Sequence, residues 1–360
     1  MKIKKSHCHI RKMTLKEPYS IYYESVDSCD GVFIRIETED GKTGLGFAAP
    51  DPAVTGETAE EVYDCFNTVI EPFLKGDDVF KYARIMESLK GSLPHNPSAR
   101  AMVDMALYDL IAQKAGVPLY KLLGGYRTKI ATSITIGIMP LQMTLDYAKE
   151  HLERGFKILK IKGGKTVEED IEKIIRIRES AGTHIKIRFD ANQGYSLEDS
   201  IRFMKETADA DVELLEQPTH RDDLELLKKV TQKASIPVMA DESLLSLSDV
   251  FQLSKQSSSD LINIKLMKTG GIMEAMHINS VARAAGIKVM VGCMDESALG
   301  IAAALHFALS RPNVEYADLD GHLDVVDDPF EGMLKIKDGI IYPPENPGLG
   351  WGGVNKIRFD

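Results

Sequence analysis

The chain reads Ile158-Leu159-Lys160-Ile161-Lys162, a short apolar segment that ends in lysine, and later Ile185-Lys186-Ile187-Arg188-Phe189-Asp190, which ends in an acid. Three further apolar segments run up to Glu216, Asp241 and Lys265. From Lys162 onward, successive end residues stand 24 to 28 positions apart, about the length of one strand and one helix. This spacing predicts repeated βα units, and such units predict a parallel sheet.

Eight apolar segments fit this alternation, with amphipathic stretches between them. The predicted strands are Ala131–Ile138, Ile158–Gly163, Ile185–Asp190, Val212–Glu216, Pro237–Asp241, Leu261–Lys265, Lys288–Gly292 and Val314–Asp318. Eight parallel strands in a chain of this length predict an α/β fold with a (β/α)8-type barrel. A doubly wound sheet is the alternative, but no GxGxxG motif follows the first strand, so a dinucleotide site is not indicated.

The first part of the chain, residues 1–125, has a different pattern. Gly31–Thr38 alternates apolar and polar residues, as a half-buried strand does. Predicted helical stretches lie near 57–75, 79–90 and 97–115. Strands that precede segregated helices predict an α+β domain, which would cap the barrel of residues 126–324. The Gly- and Pro-rich tail, residues 325–360, is expected to return to this capping domain.

The composition disfavours several classes of partner. Apolar residues make up 44% and charged residues 27% of the 360 positions, as in ordinary globular proteins. The net charge of −10 argues against a nucleic acid, and no apolar run is long enough to span a membrane. The four cysteines form no CxxC pair, and no apolar stretch follows the basic segment Met1–Lys5. We therefore expect reduced thiols and a cytoplasmic protein.

Three strand-end residues are acids: Asp190, Glu216 and Asp241. In a barrel they would lie side by side at the carboxyl rim, where this fold builds its active sites. Three converging carboxylates repel one another unless protons or a cation compensate them. Because only oxygen ligands are available, the sequence predicts Mg²⁺ rather than zinc. A single acid in this position is more often a helix cap, but three in succession argue against that interpretation.

Lysines flank the three acids. Lys162 ends the strand before them and Lys265 ends the strand after them. Lys160 stands two residues before Lys162 and therefore points to the same side of its strand. A lysine acts as a base near neutral pH only with a lowered pKa, and we expect burial, a nearby cation and neighbouring amines to lower these pKa values. Any one of them could be a solvated surface charge, but the ordered set indicates acid–base chemistry.

The chain resembles the muconate lactonising subgroup of the enolase superfamily in five ordered motifs. They are Lys160-x-Lys162, Asp190-x-Asn192, Glu216-Gln217-Pro218, Asp241-Glu242-Ser243, and Lys265 followed by Gly270-Gly271. The resemblance implies an enolase-like modified barrel, a homo-oligomer, and a Mg²⁺ ion held by the three acids. It also implies that Lys162 and Lys265 are the two acid–base groups, that Lys160 supports Lys162, and that Asn192 lies behind the metal ligands.

A further motif narrows the implied reaction. Asp318-Leu319-Asp320 resembles the Asp-x-Asp of dipeptide epimerases, which binds the α-ammonium of the substrate. Two acids on one side of a rim strand suit a cation, although such pairs also occur in turns. Residues 292–297 resemble the same enzymes, and Glu296 would lie behind the site there or simply begin a helix. The implied reaction is inversion of the C-terminal residue of an L,L-dipeptide by proton transfer between two lysines.

Other activities remain alternatives at this point. A muconate cycloisomerase, an o-succinylbenzoate synthase or an N-acylamino acid racemase would share both lysines but would not need Asp318 and Asp320. A sugar-acid dehydratase would carry a His–Asp pair where this chain has Lys265 and Gly292-Cys293. Outside the enzymes, a catalytically silent barrel could act as a binding protein, but the intact set of charged groups argues against it.

The preference for a substrate side chain is expected to depend on the loops around the barrel mouth. The candidate contacts are Glu24, Asp51, Thr135 and Asp295. Relatives that prefer an acidic dipeptide carry an Arg in the first capping loop, whereas residues 18–25 contain no Arg or Lys. A mouth lined by acids predicts a cationic dipeptide. If the acids are solvated rim charges, Tyr19, Ile21 and Tyr22 would instead favour an apolar residue.

Overall fold

The computed structural model describes residues 1–20 and 25–352. The chain begins with an antiparallel sheet in which two long strands pair, β1 (Ile3–Ser20) and β2 (Ser25–Thr38). A shorter strand, β3 (Thr43–Ala48), lies on the other side of β2. The predicted strand over residues 31–38 is confirmed as the second half of β2. Its apolar residues Ile34 and Ile36 are completely buried, which gives the sheet one face for packing.

Helices follow this sheet and pack against it. Their bounds are α1 (Ala59–Cys65), a π-helical turn (Phe66–Ile70), α2 (Glu71–Leu74), a 3-10 turn (Val79–Lys81), α3 (Tyr82–Ser92), α4 (Pro97–Ala115) and α5 (Leu119–Leu122). The three predicted helical stretches are confirmed. Gly46 of β3 allows α4 to approach the sheet, because a Cβ there would lie 1.9 Å from the carbonyl oxygen of Met102. This α+β unit covers the mouth of the second part.

A two-residue strand, β4 (Ile130–Ala131), leads into eight parallel strands that lie side by side in chain order. They are β5 (Ile134–Ile136), β6 (Ile158–Lys162), β7 (Lys186–Asp190), β8 (Val212–Glu216), β9 (Val238–Ala240), β10 (Leu261–Ile264), β11 (Lys288–Val291) and β12 (Val314–Ala317). The amide of Ser133 donates a hydrogen bond of 3.1 Å to the carbonyl of Ala317, which joins the first strand to the last. The predicted (β/α)8-type barrel is confirmed.

Helices surround these strands. Their bounds are α6 (Leu141–Glu153), α7 (Val167–Ala181), α8 (Leu197–Glu206), α9 (Leu224–Lys233), α10 (Leu247–Gln256), α11 (Leu266–Thr269), α12 (Ile272–Ala284) and α13 (Ala298–Ser310), with 3-10 turns at Ala208–Ala210 and Gly321–Leu323. After β10 the order departs from simple alternation, because the short helix α11 precedes α12 and directly follows Lys265. Among the described residues, no helix is both long enough and apolar enough to cross a membrane.

The predicted strand Ala131–Ile138 is wrong in its extent. Only its central residues form the barrel strand β5, while β4 pairs with a C-terminal hairpin of β13 (Lys335–Lys337) and β14 (Ile340–Tyr342). The amide of Thr132 donates a hydrogen bond of 2.9 Å to the carbonyl of Gly339. The backbone just before the first barrel strand is therefore hydrogen-bonded to the hairpin and not to a barrel strand. The residues on either side of this change of partner are similarly apolar, so the local pattern does not mark it.

The C-terminal segment contacts both parts of the fold. The amide of Val326 donates to the carbonyl of Thr14 in β1 at 2.9 Å, and the amide of Leu349 donates to the buried carboxylate of Asp109 in α4 at 2.8 Å. Its hairpin, by contrast, lies against β4 at the start of the barrel. The division into residues 1–125, 126–324 and 325–360 therefore remains our prediction of the domain boundaries.

Asp104 on α4 connects the capping helices to the barrel. Its buried carboxylate accepts a hydrogen bond of 2.5 Å from the amide of Ile272, in the first turn of α12. Burial raises the pKa of Asp104 to about 8. Gly271 precedes that helix with φ 108° and ψ −171°, and a Cβ there would lie 2.5 Å from Oδ2 of Asp104. The contact between the two parts therefore requires glycine at this position, close to Lys265.

We expect Gly271→Ala to lower the free energy of unfolding by about 3 kcal/mol or more, because alanine resists this backbone conformation and its methyl group would meet Asp104. Gly286→Ala is the matched control, since Gly286 has a φ of 75° but open space around it. There we expect a loss of about 1 kcal/mol. Urea unfolding followed by circular dichroism measures both. Equal losses in the two variants would contradict the role of the Asp104 contact.

Candidate active site

A cavity of about 880 Å³ opens at the carboxyl ends of the barrel strands. Residues 28–30 of β2, together with residues of the segment 49–60 that runs from the end of β3 into α1, form some of its wall. The predicted site residues that line it are Asp51, Thr135, Lys160, Lys162, Asn192, Asp241, Lys265, Asp295, Asp318 and Asp320. The structure thus brings together residues that lie far apart in the chain. Asp190, Glu216 and Glu296 are buried.

Three buried carboxylates stand side by side on neighbouring strands. Asp190 is in register with Glu216 on the next strand, and Asp241 directly follows the strand after that. All three residues are at most 3% exposed. The Lys160 ammonium lies 3.2 Å from Asp190 Oδ2 and 2.9 Å from Glu216 Oε2, and the Lys265 ammonium lies 2.9 Å from Asp241 Oδ2. One oxygen of each acid therefore faces the ammonium groups.

The other oxygen of each carboxylate is held from behind by a donor of the protein. The donors are the backbone amide of Asn192 for Asp190 Oδ1 (3.0 Å), the side-chain amide of Asn263 for Glu216 Oε1 (2.8 Å), and the ammonium of Lys268 for Asp241 Oδ1. Each acid is thereby fixed in orientation. The three oxygens that remain contact the ammonium groups of Lys160 and Lys265, and they are the ones that a bound cation would have to reach.

These three oxygens fit a Mg²⁺ ion. Burial raises the pKa of Glu216 to about 8 against the opposing effect of Lys160, and Glu216 Oε2 has no well-aligned hydrogen bond although Lys160 Nζ is 2.9 Å away. Among the described residues, no group of three or more His, Cys, Asp or Glu side chains is already arranged as a metal site, and the Lys160 ammonium contacts both Asp190 and Glu216. A hard divalent cation compensates carboxylates and prefers their oxygens. Asp190, Glu216 and Asp241 are the residues that would hold it.

The contacts among these side chains alone do not lower the pKa values of Lys160 and Lys265, whereas the predicted lowering included a neighbouring metal cation. Burial lowers the pKa of Lys160, but Asp318, Glu216 and Asp190 outweigh it, and this pKa lies well above its usual value. Burial of Lys265 is likewise outweighed, chiefly by Asp241, and its pKa is raised. The acids that the barrel brings into contact with these amines stabilise the charged form and thereby oppose the effect of burial.

Lys162 differs from these two lysines. It is half-buried, it lines the cavity, and it has no ion-pair partner within residues 1–20 and 25–352. Lys162 ends β6, whereas Lys265 follows β10, and three strands lie between these two in the sheet. The two lysines therefore reach the cavity from opposite sides of the barrel rim.

Asp318 and Asp320 follow the last barrel strand into the cavity. Asp318 accepts hydrogen bonds from the hydroxyl of Ser133 (2.6 Å) and the ammonium of Lys160 (2.9 Å). Asp320 accepts one from the amide of Thr135 (2.6 Å), so Thr135 directly contacts a predicted substrate-binding acid. Burial raises the pKa of Asp320 to about 7, and the charge of Asp318 adds to this rise. An ammonium group bound beside Asp320 would stabilise its charged form.

Glu296 lies behind the cavity and accepts a hydrogen bond from the amide of Met294 (3.0 Å). Burial raises its pKa to about 8, against an opposing effect of Lys265. Sequence reasoning missed a second buried glutamate, Glu242, which lines the cavity and whose pKa burial raises to about 7. Its position directly after Asp241 was the only signal available. With such raised pKa values, both acids carry a proton for much of the time near neutral pH.

Sequence reasoning also missed Asn263, Lys268 and Ser133. Asn263 stands two residues before Lys265, so the strand period places both on one side of the sheet. Lys268 stands three residues after Lys265, which in a helix places both on one face. Those spacings are the signals by which the two residues could be found. For Ser133 the sequence offers no comparable signal, because its partners Asp318 and Arg188 come from distant strands.

The structure describes only some of the residues that are predicted to contact the substrate side chain. Glu24 lies outside the described residues. Asp51 accepts hydrogen bonds from the amides of Ala53 (2.7 Å) and Val54 (3.1 Å), so one of its oxygens stabilises the turn of its own loop. Asp295 is half-buried and lines the cavity. Asp51 and Asp295 thus both border the site.

A capped barrel with paired lysines around an oxygen-ligand metal site defines a class of enzyme that moves a proton on a carbon beside a carboxylate. Residues 6–124 match the mandelate racemase / muconate lactonizing enzyme N-terminal domain, and residues 144–352 match the enolase C-terminal domain-like family. The chain belongs to the mandelate racemase / muconate lactonizing enzyme family of the enolase superfamily. The predicted membership is confirmed.

Similar proteins include several dipeptide epimerases. The chain is 42% identical to an L-Lys-D/L-Arg epimerase of Desulforapulum autotrophicum, over 97% of this chain and 99% of that protein. It is similar to the substrate-liganded L-Ala-D/L-Glu epimerase of Bacillus subtilis, with a TM-score of 0.95 and 39% identity over 97% and 98% of the chains. It is also similar to the dipeptide epimerase of Enterococcus faecalis complexed with Mg and L-Leu-L-Tyr, with a TM-score of 0.93 and 40% identity over 97% and 99%.

Glu216→Gln should weaken Mg²⁺ binding more than about 100-fold, beyond the 10–100-fold effect typical of groups that only support a ligand. The amide keeps the shape of the side chain but removes the charge of the free oxygen. Glu315→Gln, a charge-neutralising change at a half-exposed glutamate in β12, is the control. Isothermal titration calorimetry with Mg²⁺ compares the variants. An unchanged affinity in Glu216→Gln would exclude Glu216 as a ligand.

Proposed function

We propose that this protein is a Mg²⁺-dependent dipeptide epimerase that inverts the α-carbon of the C-terminal residue of an L,L-dipeptide. The proposal rests on the charged side chains that meet in one cavity. Lys162 and Lys265 enter it from opposite sides of a carboxylate cluster, and Asp318 and Asp320 border the same space. Relatives at about 40% identity over nearly their full length are dipeptide epimerases, which supports the same reaction.

Two lysines on opposite faces of the substrate are what inversion requires. One amine removes the α-proton, and the other delivers a proton to the opposite face of the resulting planar carbon. When bound, Mg²⁺ stabilises the negative charge that develops on the substrate carboxylate. Lys160, held between Asp190, Glu216 and Asp318, contributes a further fixed positive charge at this position.

The acids after β12 favour a dipeptide over the other substrates of the family. Asp318 is compensated by the ammonium of Lys160, whereas Asp320, which is 5% exposed, has no ion-pair partner among the described side chains, and a buried acid without a cation is unfavourable. The free α-ammonium of a dipeptide supplies that cation. A muconate, an o-succinylbenzoate precursor or an N-acylated amino acid has no ammonium at this position and would leave Asp320 uncompensated.

For the side chain we propose a cationic preference. The described wall of the cavity outside the catalytic cluster carries more acids than bases. The acids are Asp30, Asp51, Glu60, Glu150, Asp295 and Asp324, and the bases are Lys16 and Arg154. This balance attracts Lys and Arg side chains and disfavours Glu. The relatives include enzymes named for cationic, acidic and hydrophobic dipeptides at 40–42% identity, so similarity alone does not separate these substrates.

A cytoplasmic location and a homo-oligomeric state complete the proposal. The first rests on the cysteine usage. The second rests on the resemblance to the superfamily. Size-exclusion chromatography with light scattering measures the oligomeric state directly.

Lys162→Ala and Lys265→Ala should each lower the epimerisation rate by about 10²–10⁴-fold, because each removes one of the two proton-transfer groups. In D₂O, each variant should retain α-proton exchange with at most one epimer of the dipeptide, and the two variants should retain opposite epimers. Lys165→Ala is the control, since Lys165 is an exposed lysine three residues from Lys162. Mass spectrometry and NMR follow the exchange. Full activity of Lys265→Ala in both directions would refute the two-lysine scheme.

Among L-Arg-L-Lys, L-Ala-L-Phe and L-Ala-L-Glu, the cationic dipeptide should have the highest kcat/KM, by roughly 10-fold or more over the acidic one. Asp295→Asn should reduce this ratio, and Glu315→Gln, far from the cavity mouth, should not. Raising the salt concentration should reduce the ratio as well, since screening weakens attraction to an acidic mouth. A preference for L-Ala-L-Glu would contradict the electrostatic argument but not the epimerase activity.

A further inference from the structure

Lys268 is a buried lysine outside the predicted catalytic set. It lies in the short helix α11, three residues after Lys265, and is only 1% exposed. Its ammonium donates to the carboxylate oxygen Oδ1 of Asp241, to the backbone carbonyl of Asp241 (2.5 Å) and to the backbone carbonyl of Asn263 (3.2 Å). A lysine ammonium has three hydrogens, so these contacts use its full capacity for hydrogen bonding.

We propose that Lys268 is a positioning residue, which fixes the Asp241 carboxylate so that its Oδ2 is presented to the metal ion. This inference rests on the proposed function, because it presumes that Asp241 is a Mg²⁺ ligand. Lys268 itself lies behind Asp241 and is absent from the cavity wall, whereas Asp241 and Lys265 line it. Its role in the reaction is therefore exerted through Asp241.

The contacts of Lys268 reach two of the three candidate ligands. It holds Asp241 directly, and it also holds the backbone of Asn263, whose side-chain amide donates to Glu216 at 2.8 Å. One buried cation thus connects the donors behind Asp241 and Glu216. Asn263 in turn needs Gly292, which directly follows β11, because a Cβ there would lie 2.5 Å from its Oδ1. The arrangement is built from strands β10 and β11 as well as α11.

A purely structural role does not explain a charged group at this position. Burying an ammonium is unfavourable, and an apolar residue of similar volume often stabilises a core as well or better. The groups that face Lys268 are Asp241, Glu242 and the ammonium of Lys265. A second cation so close to Lys265 adds electrostatic repulsion, so a lysine at position 268 needs a compensating role. A fixed orientation for Asp241 is the benefit that the contacts indicate.

Orientation and charge have opposite effects on metal binding, which makes the proposal testable. Lys268→Met keeps the length of the side chain but removes both the hydrogen bonds and the charge. If Lys268 positions Asp241, Mg²⁺ binding weakens when it is lost. If Lys268 is only a counter-charge, its loss removes repulsion of the incoming cation, and Mg²⁺ binding becomes tighter.

Calorimetric titration of the full chain with Mg²⁺, without any dipeptide, should show a Kd about 10-fold or more above that of the unaltered protein in Lys268→Met. At saturating Mg²⁺, kcat should fall while KM for the dipeptide changes little. Lys288→Met is the matched control, because it removes a lysine paired with a glutamate (2.9 Å) at the opposite end of a barrel strand. Its Kd should stay unchanged.

A Kd in Lys268→Met that is unchanged or lower than that of the unaltered protein overturns the proposal. If circular dichroism shows that Lys268→Met is unfolded, the same Mg²⁺ titration is made with Lys268→Gln. Because Gln retains a hydrogen-bond donor, the rise in Kd should then be smaller. The Mg²⁺ titration needs no substrate. An unaltered protein that binds Mg²⁺ but exchanges no dipeptide α-proton would therefore contradict the proposed function and leave the Lys268 comparison valid.

Discussion

Repulsion among three buried carboxylates is the constraint on which the rest of the site depends. Asp190, Glu216 and Asp241 lie on neighbouring strands, and two like charges about 4 Å apart repel by about 4 kcal/mol at an effective dielectric constant of about 20. The ammonium groups of Lys160 and Lys265 offset this repulsion by direct contact. Acids and lysines are therefore mutually necessary: removal of either set leaves the other as unpaired buried charge.

The barrel places these charges, and short-range interactions keep them in place. Asn192 and Gln217, which closely follow two of the acids, have φ angles of 44° and 32°. Such conformations cost of order 1–3 kcal/mol each and persist only where surrounding contacts support them. The side chain of Gln217 accepts hydrogen bonds from the amides of Asp241 (2.8 Å) and Ser243 (3.1 Å), which ties two strand ends together. The strained backbone thus forms part of the candidate metal site.

The fold and the charged set follow from sequence because a barrel converts a regular spacing along the chain into neighbours in space. The spacing of Lys162, Asp190 and the later strand ends is sufficient to predict their proximity. What the spacing cannot predict is which atoms face one another. The high pKa of Lys160 depends on contacts with Asp318, 158 residues away. The partner of β4 is equally remote, since it comes from the C-terminal hairpin.

The short helix α11 contacts both Asp241 and a capping loop that borders the cavity. Lys268 in this helix contacts Asp241, while its neighbour Met267 accepts a hydrogen bond of 3.3 Å from the amide of Ala49, at the start of the loop between β3 and α1. The same loop is held at Ala53 by the guanidinium of Arg221 (3.1 Å), from the barrel loop after β8. The loop that borders the cavity is therefore in direct contact with the same four-residue helix that contacts Asp241 and follows Lys265. Because packed interiors are dense and transmit strain, a shift of this loop would be felt in α11, and so at Asp241 and Lys265.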